Sequence, residues 1–225
     1  MMILSFELST RKVSLALLKD NGVLAEDCWE ETPPRREAVF DRVSHVVEQA
    51  GTSLDAVNLY VAGRGPGAYS GMRVAIAAAR GLAMPDNTPV HAVSSGEALA
   101  WSVMSGHEGP VAVVGDARRD MVWAGVFEGN ERAIEQTVDW KLFPIQDVCG
   151  VFPGDVVAVT SDWDRLKDRI SSSSLAKVHW IEDNIHPAAA DVGRLAGSRR
   201  AEGRPSEPLI PLYLHHPVFA PPVTT

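Results

Sequence analysis

The predicted order of strands and helices occurs twice along this chain, and that repetition constrains the fold more than any single motif. Three short segments at the start, MILSFEL, KVSLALL and GVLAEDCW, predict strands, and KDNG between the last two is a strong hairpin signal. Apolar residues then recur at helical spacing over Glu37–Ala50. This half is completed by a strand in AVNLYVA, a helix over Gly71–Met84, a strand in PVHAV and a serine-capped helix in SSGEALAWSV.

The second half restarts this order after residue 107. Strands are predicted in PVAVVGD, DMVWAGVF and AIEQTVDWKLF, and a short helix in PIQDVCGV. DVVAVT and AKVHWI predict further strands, followed by helices in SDWDRLKDRI and HPAAADVGRLAGSRRAEG. In each half the first strand ends in an acid, Glu7 or Asp116, before a polar turn. We therefore predict an α/β protein with two lobes, 1–107 and 108–225, each on a β-β-β-α-β-α plan.

Three segments fall outside this plan. Ser171–Ser174 is a low-complexity patch that we interpret as a loop. LIPLYL predicts a final extended piece, and we expect the tail from about Pro217 to be disordered.

Composition and charge narrow the class of protein. Apolar residues make up 45% of 225, enough for a core, and no run of about 18 apolar residues predicts a membrane span. The start MMILSFELSTRK lacks a basic leader, and only Cys28 and Cys149 are present, which is typical of a reducing compartment. We therefore expect a cytoplasmic protein. Because the net charge is −8, we expect any contact with RNA to be shared with a partner.

The glycine-rich segment GRGPGAYSGMR, residues 63–73, has two interpretations. In the first, Ser70 caps the following helix, whose free N–H groups bind an anion. In the second, the segment supplies positive φ angles and close packing where a strand turns into a helix. Because no lysine, base or metal ligand accompanies the motif, the structural or partner-contact interpretation is favoured. Its structural residues are Gly63, Gly65, Pro66, Gly67, Ser70 and Gly71.

Motifs for catalysis and metal binding are absent from the sequence. The glycine segment lacks the Gly-Lys-Ser/Thr ending of a P-loop, and no Gly-x-Ser-x-Gly elbow occurs. No two of the seven histidines stand at His-x-x-x-His spacing, and His215–His216 is interpreted as a surface pair. We therefore predict no catalytic residue and no metal ligand.

The helix predicted over Gly71–Met84 has an apolar arc too wide for one sheet contact. Arg73 and Arg80 share an edge that we expect to be exposed. Beside it run two apolar stripes, one of Val74, Ala75, Ala78 and Leu82 and one of Met72, Ile76, Ala79 and Ala83. The helix over Glu37–Ala50, another subunit, or both can cover the second stripe, and we expect both. The predicted partner interface comprises Val39, Val43, Val46, Met72, Ile76, Ala79 and Ala83.

The doubled plan resembles the actin-like ATPase (ASKHA, ribonuclease H-like) folds. Within them, the segments ILSFELSTRKVSLALL, GRGPGAYSGMRVAIAAARGLA, AVSSGEALA and VVGDARRDMVWAGVF resemble, in order and spacing, the TsaB/YeaZ family of bacterial tRNA threonylcarbamoyladenosine biosynthesis subunits. The similarity covers about the first 127 residues and resumes at PAAADVGRLA and PLIPLYL. Glu7 stands where this family usually has Asp, and TPPRREA where it often has a His-Ser pair.

The resemblance implies a subunit without catalytic activity of its own. It would scaffold and activate a TsaD-like catalytic subunit, together with a TsaE-like ATPase, and contact tRNA only through the complex. The sequence leaves both a monomer and a homodimer open for the isolated chain. Vestigial phosphate-loop residues would be Glu7, Ser9, Thr10 and Asp116. Because the second loop, Ala117–Arg119, has no glycine, we interpret the nucleotide site as degenerate and expect no cofactor. An actin-fold ATPase or phosphotransferase, or a glycoprotease-type peptidase, remains the alternative.

Overall fold

The computed structural model describes residues 1–31, 39–130, 133–152, 154–170 and 178–214. The predictions for Ser171–Ser174, for His215–His216 and for the tail from Pro217 fall outside these residues. Within them, no helix combines the length and the apolar character needed to cross a bilayer.

The first half forms a five-stranded mixed sheet in the order β3-β2-β1-β4-β5. β1 pairs antiparallel with β2 and parallel with β4. The turn between β2 and β3 places Asp20 and Asn21 at φ angles of 49° and 70°, as the predicted hairpin requires. The strands are β1 (Met2–Glu7), β2 (Lys12–Lys19), β3 (Gly22–Glu30), β4 (Leu59–Gly63) and β5 (Val90–Val93).

The second half repeats this connectivity in the order β8-β7-β6-β9-β10. β6 pairs antiparallel with β7 and parallel with β9, as β1 does with β2 and β4. The match confirms the predicted duplication. The strands are β6 (Val111–Arg118), β7 (Met121–Gly129), β8 (Ile134–Pro144), β9 (Val157–Thr160) and β10 (His179–Asn184).

Helices cover both faces of the first sheet. α1 and α2 pack on one face, where their side chains share a core with Phe6 and Leu15. α3 and α5 lie between the two sheets, with α5 against β1 and β2 and α3 against β6 and β7. The helices are α1 (Val39–Gln49), α2 (Tyr69–Ala83), α3 (Ser95–Met104), α4 (Trp163–Leu166) and α5 (Ala189–Ala201).

The second half departs from the sequence prediction in two short segments. PIQDVCGV forms only a 3₁₀ turn at Val148–Gly150, and the helix in SDWDRLKDRI is limited to α4. LIPLYL, predicted as a final extended piece, lies outside both sheets at 209–214. The lobe boundary near residue 107 stays a prediction, because α5 belongs to the second half by sequence yet packs on the first sheet.

Candidate functional site

Glu7, the acid at the end of β1, is completely buried. Its Oε1 accepts a hydrogen bond from the Ser9 N–H at 2.7 Å. Among the residues that the structure describes, Glu7 Oε2 has no hydrogen-bond partner. Burial raises the pKa of the Glu7 carboxyl above its usual 4.5, and the nearby Ser9 and Ser95, which favour the charged form, do not offset this. A buried acid held toward its neutral form is poorly suited to bind a metal–phosphate group.

The glycine segment packs directly on the backbone that follows Glu7. The Ala68 N–H donates to the Ser9 carbonyl oxygen at 2.6 Å. A Cβ atom on Gly67 would overlap that same carbonyl, and one on Gly71 would overlap the carbonyl of Leu8. These glycines therefore permit a close approach of two backbone segments, which agrees with the structural interpretation of the motif.

Side chains from β1 and α2 and the first residue of α3 pack against Gly63 and Gly65 of the glycine segment. Gly63 leaves room for the Glu7 carboxyl group and for Ser95 Oγ, and Gly65 leaves room for the sulfur of Met72. Gly65 also adopts a φ of 94°, which favours glycine. Its N–H donates to Ser95 Oγ at 2.9 Å, and the Ser95 N–H donates to the Gly65 oxygen at 2.8 Å. These backbone groups are thus satisfied by the chain itself.

The prediction that Ser70 caps the second helix is wrong. α2 begins at Tyr69, with Ala68 in the N-cap position and no side-chain cap hydrogen bond. The Ala68 carbonyl oxygen accepts from the Met72 N–H at 3.1 Å, so the first helical turn closes before Ser70 can act as a cap. The serine cap predicted for the third helix is confirmed, since Ser94 Oγ accepts from the Glu97 N–H.

Asp116, the equivalent acid in the second half, is held differently. Its side chain is 6% exposed, and its Oδ1 forms an ion pair with Arg169 at 3.3 Å. The Arg118 N–H donates to the same oxygen at 3.0 Å. The turn that follows places Arg118, Arg119 and Asp120 at φ angles of 67°, 51° and 58°. The carboxylate therefore organises a left-handed turn of bulky residues.

Thr10, in the first loop, meets a residue from the second half. Its Oγ1 lies 3.0 Å from His186 Nδ1 and donates to the Lys12 carbonyl at 2.7 Å. Burial lowers the pKa of His186, and nearby Lys12 lowers it further. Arg11 pairs with Glu30 at 2.8 Å. The Thr10 hydroxyl and the Arg11 guanidinium are thus bonded within the chain, whereas Ser9 Oγ is buried with no hydrogen-bond partner among the described residues. Sequence reasoning did not single out His186.

The seven residues predicted as partner interface are all buried inside the chain. Most of them join the core that α1 and α2 share with β1–β3, while Met72 lies against Gly65. This corrects the expectation that these side chains are open to a partner, because the sheet and the neighbouring helix already cover them. They are Val39, Val43, Val46, Met72, Ile76, Ala79 and Ala83.

The exposed side of α2 is a different stripe. Arg73 and Arg80 are exposed, as predicted. Between and beyond them lie exposed small or apolar residues that belong to neither of the two apolar stripes predicted for this helix. We call the whole set the α2 stripe, and it comprises Arg73, Ala77, Arg80, Gly81 and Met84.

Within the described residues, no three His, Cys, Asp or Glu side chains lie together as metal ligands would. The expectation of no metal ligand stays a prediction.

Two sheets of matching connectivity, each beginning with a hairpin that carries an acid at or near the end of its first strand, define a class of fold. The protein has the actin-like ATPase fold, with helices between and around the sheets.

Comparison with known proteins places the chain within that class. A family model described as TsaD, tRNA N6-adenosine threonylcarbamoyltransferase, matches residues 36–154, more than half of the chain. The tRNA threonylcarbamoyladenosine biosynthesis protein TsaB of Escherichia coli K12 is 29% identical, over 97% of this chain and 96% of that protein. The Bacillus subtilis protein of the same name is 28% identical, over 61% and 60%. The structure of YeaZ from Pseudomonas aeruginosa matches with a TM-score of 0.80 at 27% identity, covering 95% of this chain and 99% of that one. The chain belongs to the TsaB/YeaZ family, which confirms the resemblance inferred from the motifs.

Proposed function

We propose that this protein is a non-catalytic subunit of the machinery that makes N6-threonylcarbamoyladenosine at position 37 of ANN-decoding tRNAs. It scaffolds and activates a TsaD-like threonylcarbamoyltransferase, with a TsaE-like ATPase as third component. Contact with tRNA occurs through the assembled complex, in the cytoplasm. The chain itself binds no cofactor.

The observation that carries this proposal is that the chain's own residues occupy the space next to the first phosphate loop. Several groups that would face a phosphate are bonded to the chain: the Ser9 N–H to Glu7, and Thr10 to His186 and Lys12. Ser9 Oγ and Glu7 Oε2 are buried and have no hydrogen-bond partner among the described residues. The glycine segment lies against Leu8 and Ser9, where extra atoms would collide. Family membership supports the pathway, since the Escherichia coli relative named for tRNA threonylcarbamoyladenosine biosynthesis covers 97% of this chain.

An actin-fold ATPase or phosphotransferase is the second candidate. It is favoured by the similar placement of Glu7 at the end of β1 and of Asp116 two residues before the end of β6, next to the loops that face phosphate in this fold. The burial of Glu7 and the Arg169–Asp116 ion pair weigh against it, because both acids are already engaged in structure. A peptidase is weakened by the lack of any nucleophile motif in the sequence.

We propose that the partner docks on the α2 stripe rather than on the buried stripe beside it. Ala77 and Gly81 allow close approach of another helix, and Met84, 77% exposed, offers apolar area at the end of the stripe. Arg73 and Arg80 supply charge at its edge. Small residues flanked by charge and methionine suit a helix-to-helix contact between subunits.

The proposal is tested by reconstituting tRNA modification from purified chain, TsaD-like subunit, TsaE-like ATPase and substrate tRNA. Omitting the chain is expected to abolish modification, whereas Glu7→Gln and Asp116→Asn are expected to retain it within about tenfold. Catalytic side chains typically contribute factors of about a thousand. A loss of that size, with fold and complex intact, would make this chain an enzyme.

The docking surface has its own test. Ala77→Glu places a long charged side chain in the middle of the α2 stripe and is expected to abolish association with the partner in light scattering. The matched control is Ala201→Glu, the same change at an exposed helical position on α5. Equal association by both variants would exclude the α2 stripe as the interface.

A further inference from the structure

The last described residues of the chain bring a tyrosine onto the start of α2. Tyr213 lies 140 residues beyond Arg73, yet Arg73 Nε donates a hydrogen bond to its hydroxyl at 2.7 Å. The Tyr213 ring stacks on Tyr69, with centroids 4.8 Å apart and planes at 25°. The guanidinium carbon of Arg73 lies 4.2 Å from the Tyr69 ring centroid. We call Tyr69, Arg73 and Tyr213 the aromatic–arginine cluster.

Hydrogen bonds and ion pairs join the segment that carries Tyr213 to the glycine segment and to its neighbours. The Glu207 carboxylate accepts from the Ser94 N–H at 3.0 Å and pairs with Arg64 at 3.0 Å and Arg199 at 2.9 Å. Arg64 also donates from Nε to the Ile210 carbonyl at 2.9 Å. The Leu212 N–H donates to the Arg64 carbonyl at 2.8 Å. These bonds set the position of Tyr213, so the cluster is ordered before any partner arrives.

The cluster is exposed although it is ordered. The side chains of Tyr69 and Tyr213 are 55% and 42% exposed. Neither Arg73 nor Arg80 forms an ion pair with a carboxylate of the described residues. Tyrosine and arginine dominate interface hot spots, and side chains held in one geometry lose little entropy on binding.

We infer that the aromatic–arginine cluster is the anchor of the partner interface, and that the partner presents a carboxylate flanked by apolar side chains. This inference rests on the proposed function, and it adds the C-terminal segment to the docking surface. Charge complementarity identifies the partner's chemistry: α2 has no acid in its first turn, and its exposed edge carries two arginines. An RNA base can also stack on exposed tyrosines, but the chain's net charge of −8 favours a protein.

The test measures binding of the TsaD-like subunit to the full chain by calorimetric titration. Tyr213→Ala and Arg73→Ala are each expected to weaken binding by about tenfold or more, as hot-spot truncations do. The double variant is expected to lose less than the product of the two losses, because the side chains contact each other. Tyr213→Phe keeps the stack but loses the bond from Arg73, and is expected to lie in between. Ile210→Ala, on the same segment and 60% exposed, is the control and should stay within about twofold.

The partner's charge is tested in the same titration. Arg73→Glu is expected to bind more weakly than Arg73→Ala, because it opposes a carboxylate. Added salt should weaken the wild-type complex more than the Arg73→Ala complex.

Three outcomes would overturn the inference. Folded Tyr213→Ala and Arg73→Ala variants that bind like the wild type, while Ala77→Glu abolishes binding, would refute the cluster and leave the proposed function intact. A wild-type chain that does not bind the TsaD-like subunit would refute both. A cluster needed for tRNA binding by the isolated chain, but not for partner binding, would make it a nucleic-acid surface. Should Tyr213→Ala fail to fold by circular dichroism, the test uses Tyr213→Phe instead. A folded Tyr213→Phe variant that binds the TsaD-like subunit like the wild type, together with a folded Arg73→Ala variant that does the same, would then refute the cluster.

Discussion

The two hairpin loops of this duplicated fold occupy equivalent places, yet their acids are accommodated in opposite ways. Glu7 is completely buried under the glycine segment, and burial raises its pKa. Asp116 forms an ion pair with Arg169, which is itself 31% exposed at the side chain. One loop is thus stabilised by packing around a buried acid and the other by an ion pair. Acids at similar places in the two halves therefore stabilise their loops by different interactions.

The largest expected effect tests the packing of the first loop. Gly71→Ala would drive a Cβ into the Leu8 carbonyl, a backbone atom that cannot rotate away. We expect a loss of about 2–3 kcal/mol in the free energy of unfolding, or failure to fold, measured by urea titration. The control is Gly81→Ala on the same helix, where a Cβ would meet nothing within 4 Å. It should leave stability unchanged or raise it by up to about 1 kcal/mol. Equal stability of the two variants would refute the close packing.

The next prediction tests whether the Arg169–Asp116 ion pair stabilises the second hairpin loop. Arg169→Ala leaves the nearly buried Asp116 carboxylate without its ion-pair partner and is expected to cost about 1–3 kcal/mol of unfolding free energy. The control is Arg165→Ala, which breaks an exposed pair with Asp162 at 3.5 Å and should cost about 0–1 kcal/mol. If both arginines prove equally dispensable in denaturant titrations, the ion pair does not stabilise the turn.

The smallest effect concerns the protonation of Glu7. Since its pKa is raised in the folded protein, the native state binds the proton more tightly, and wild-type stability falls as pH rises from 4.5 through the folded pKa. Glu7→Gln removes this dependence and is expected to be at least as stable as the wild type at pH 7. The difference should shrink as the pH falls toward 4.5. A variant that is less stable at pH 7 than at pH 4.5, relative to the wild type, would contradict a raised Glu7 pKa.

Much of the fold could be predicted because its signals are local. The Asp20–Asn21 hairpin and the Ser94 cap depend on neighbouring residues and appear as predicted. The doubled strand order followed from the same kind of pattern, read twice along the chain.

The site was harder to predict because its contacts join distant residues. His186 meets Thr10 across 176 positions, and Arg73 meets Tyr213 across 140. Helical projection gave two apolar stripes on α2, but it could not tell that the chain buries the second one itself. The Ser70 prediction failed because backbone contact with Ser9 starts the helix earlier.

The central claim is that both phosphate loops have become structural, and a calorimetric titration of the isolated chain with ATP and magnesium tests it most directly. The account predicts no saturable heat, meaning a Kd weaker than about 1 mM. Glu7→Gln and Asp116→Asn should give the same flat result, because Glu7 is buried and Asp116 is already paired with Arg169. Tight magnesium-dependent ATP binding, lost in either variant, would contradict the account and restore this chain as a nucleotide-binding enzyme.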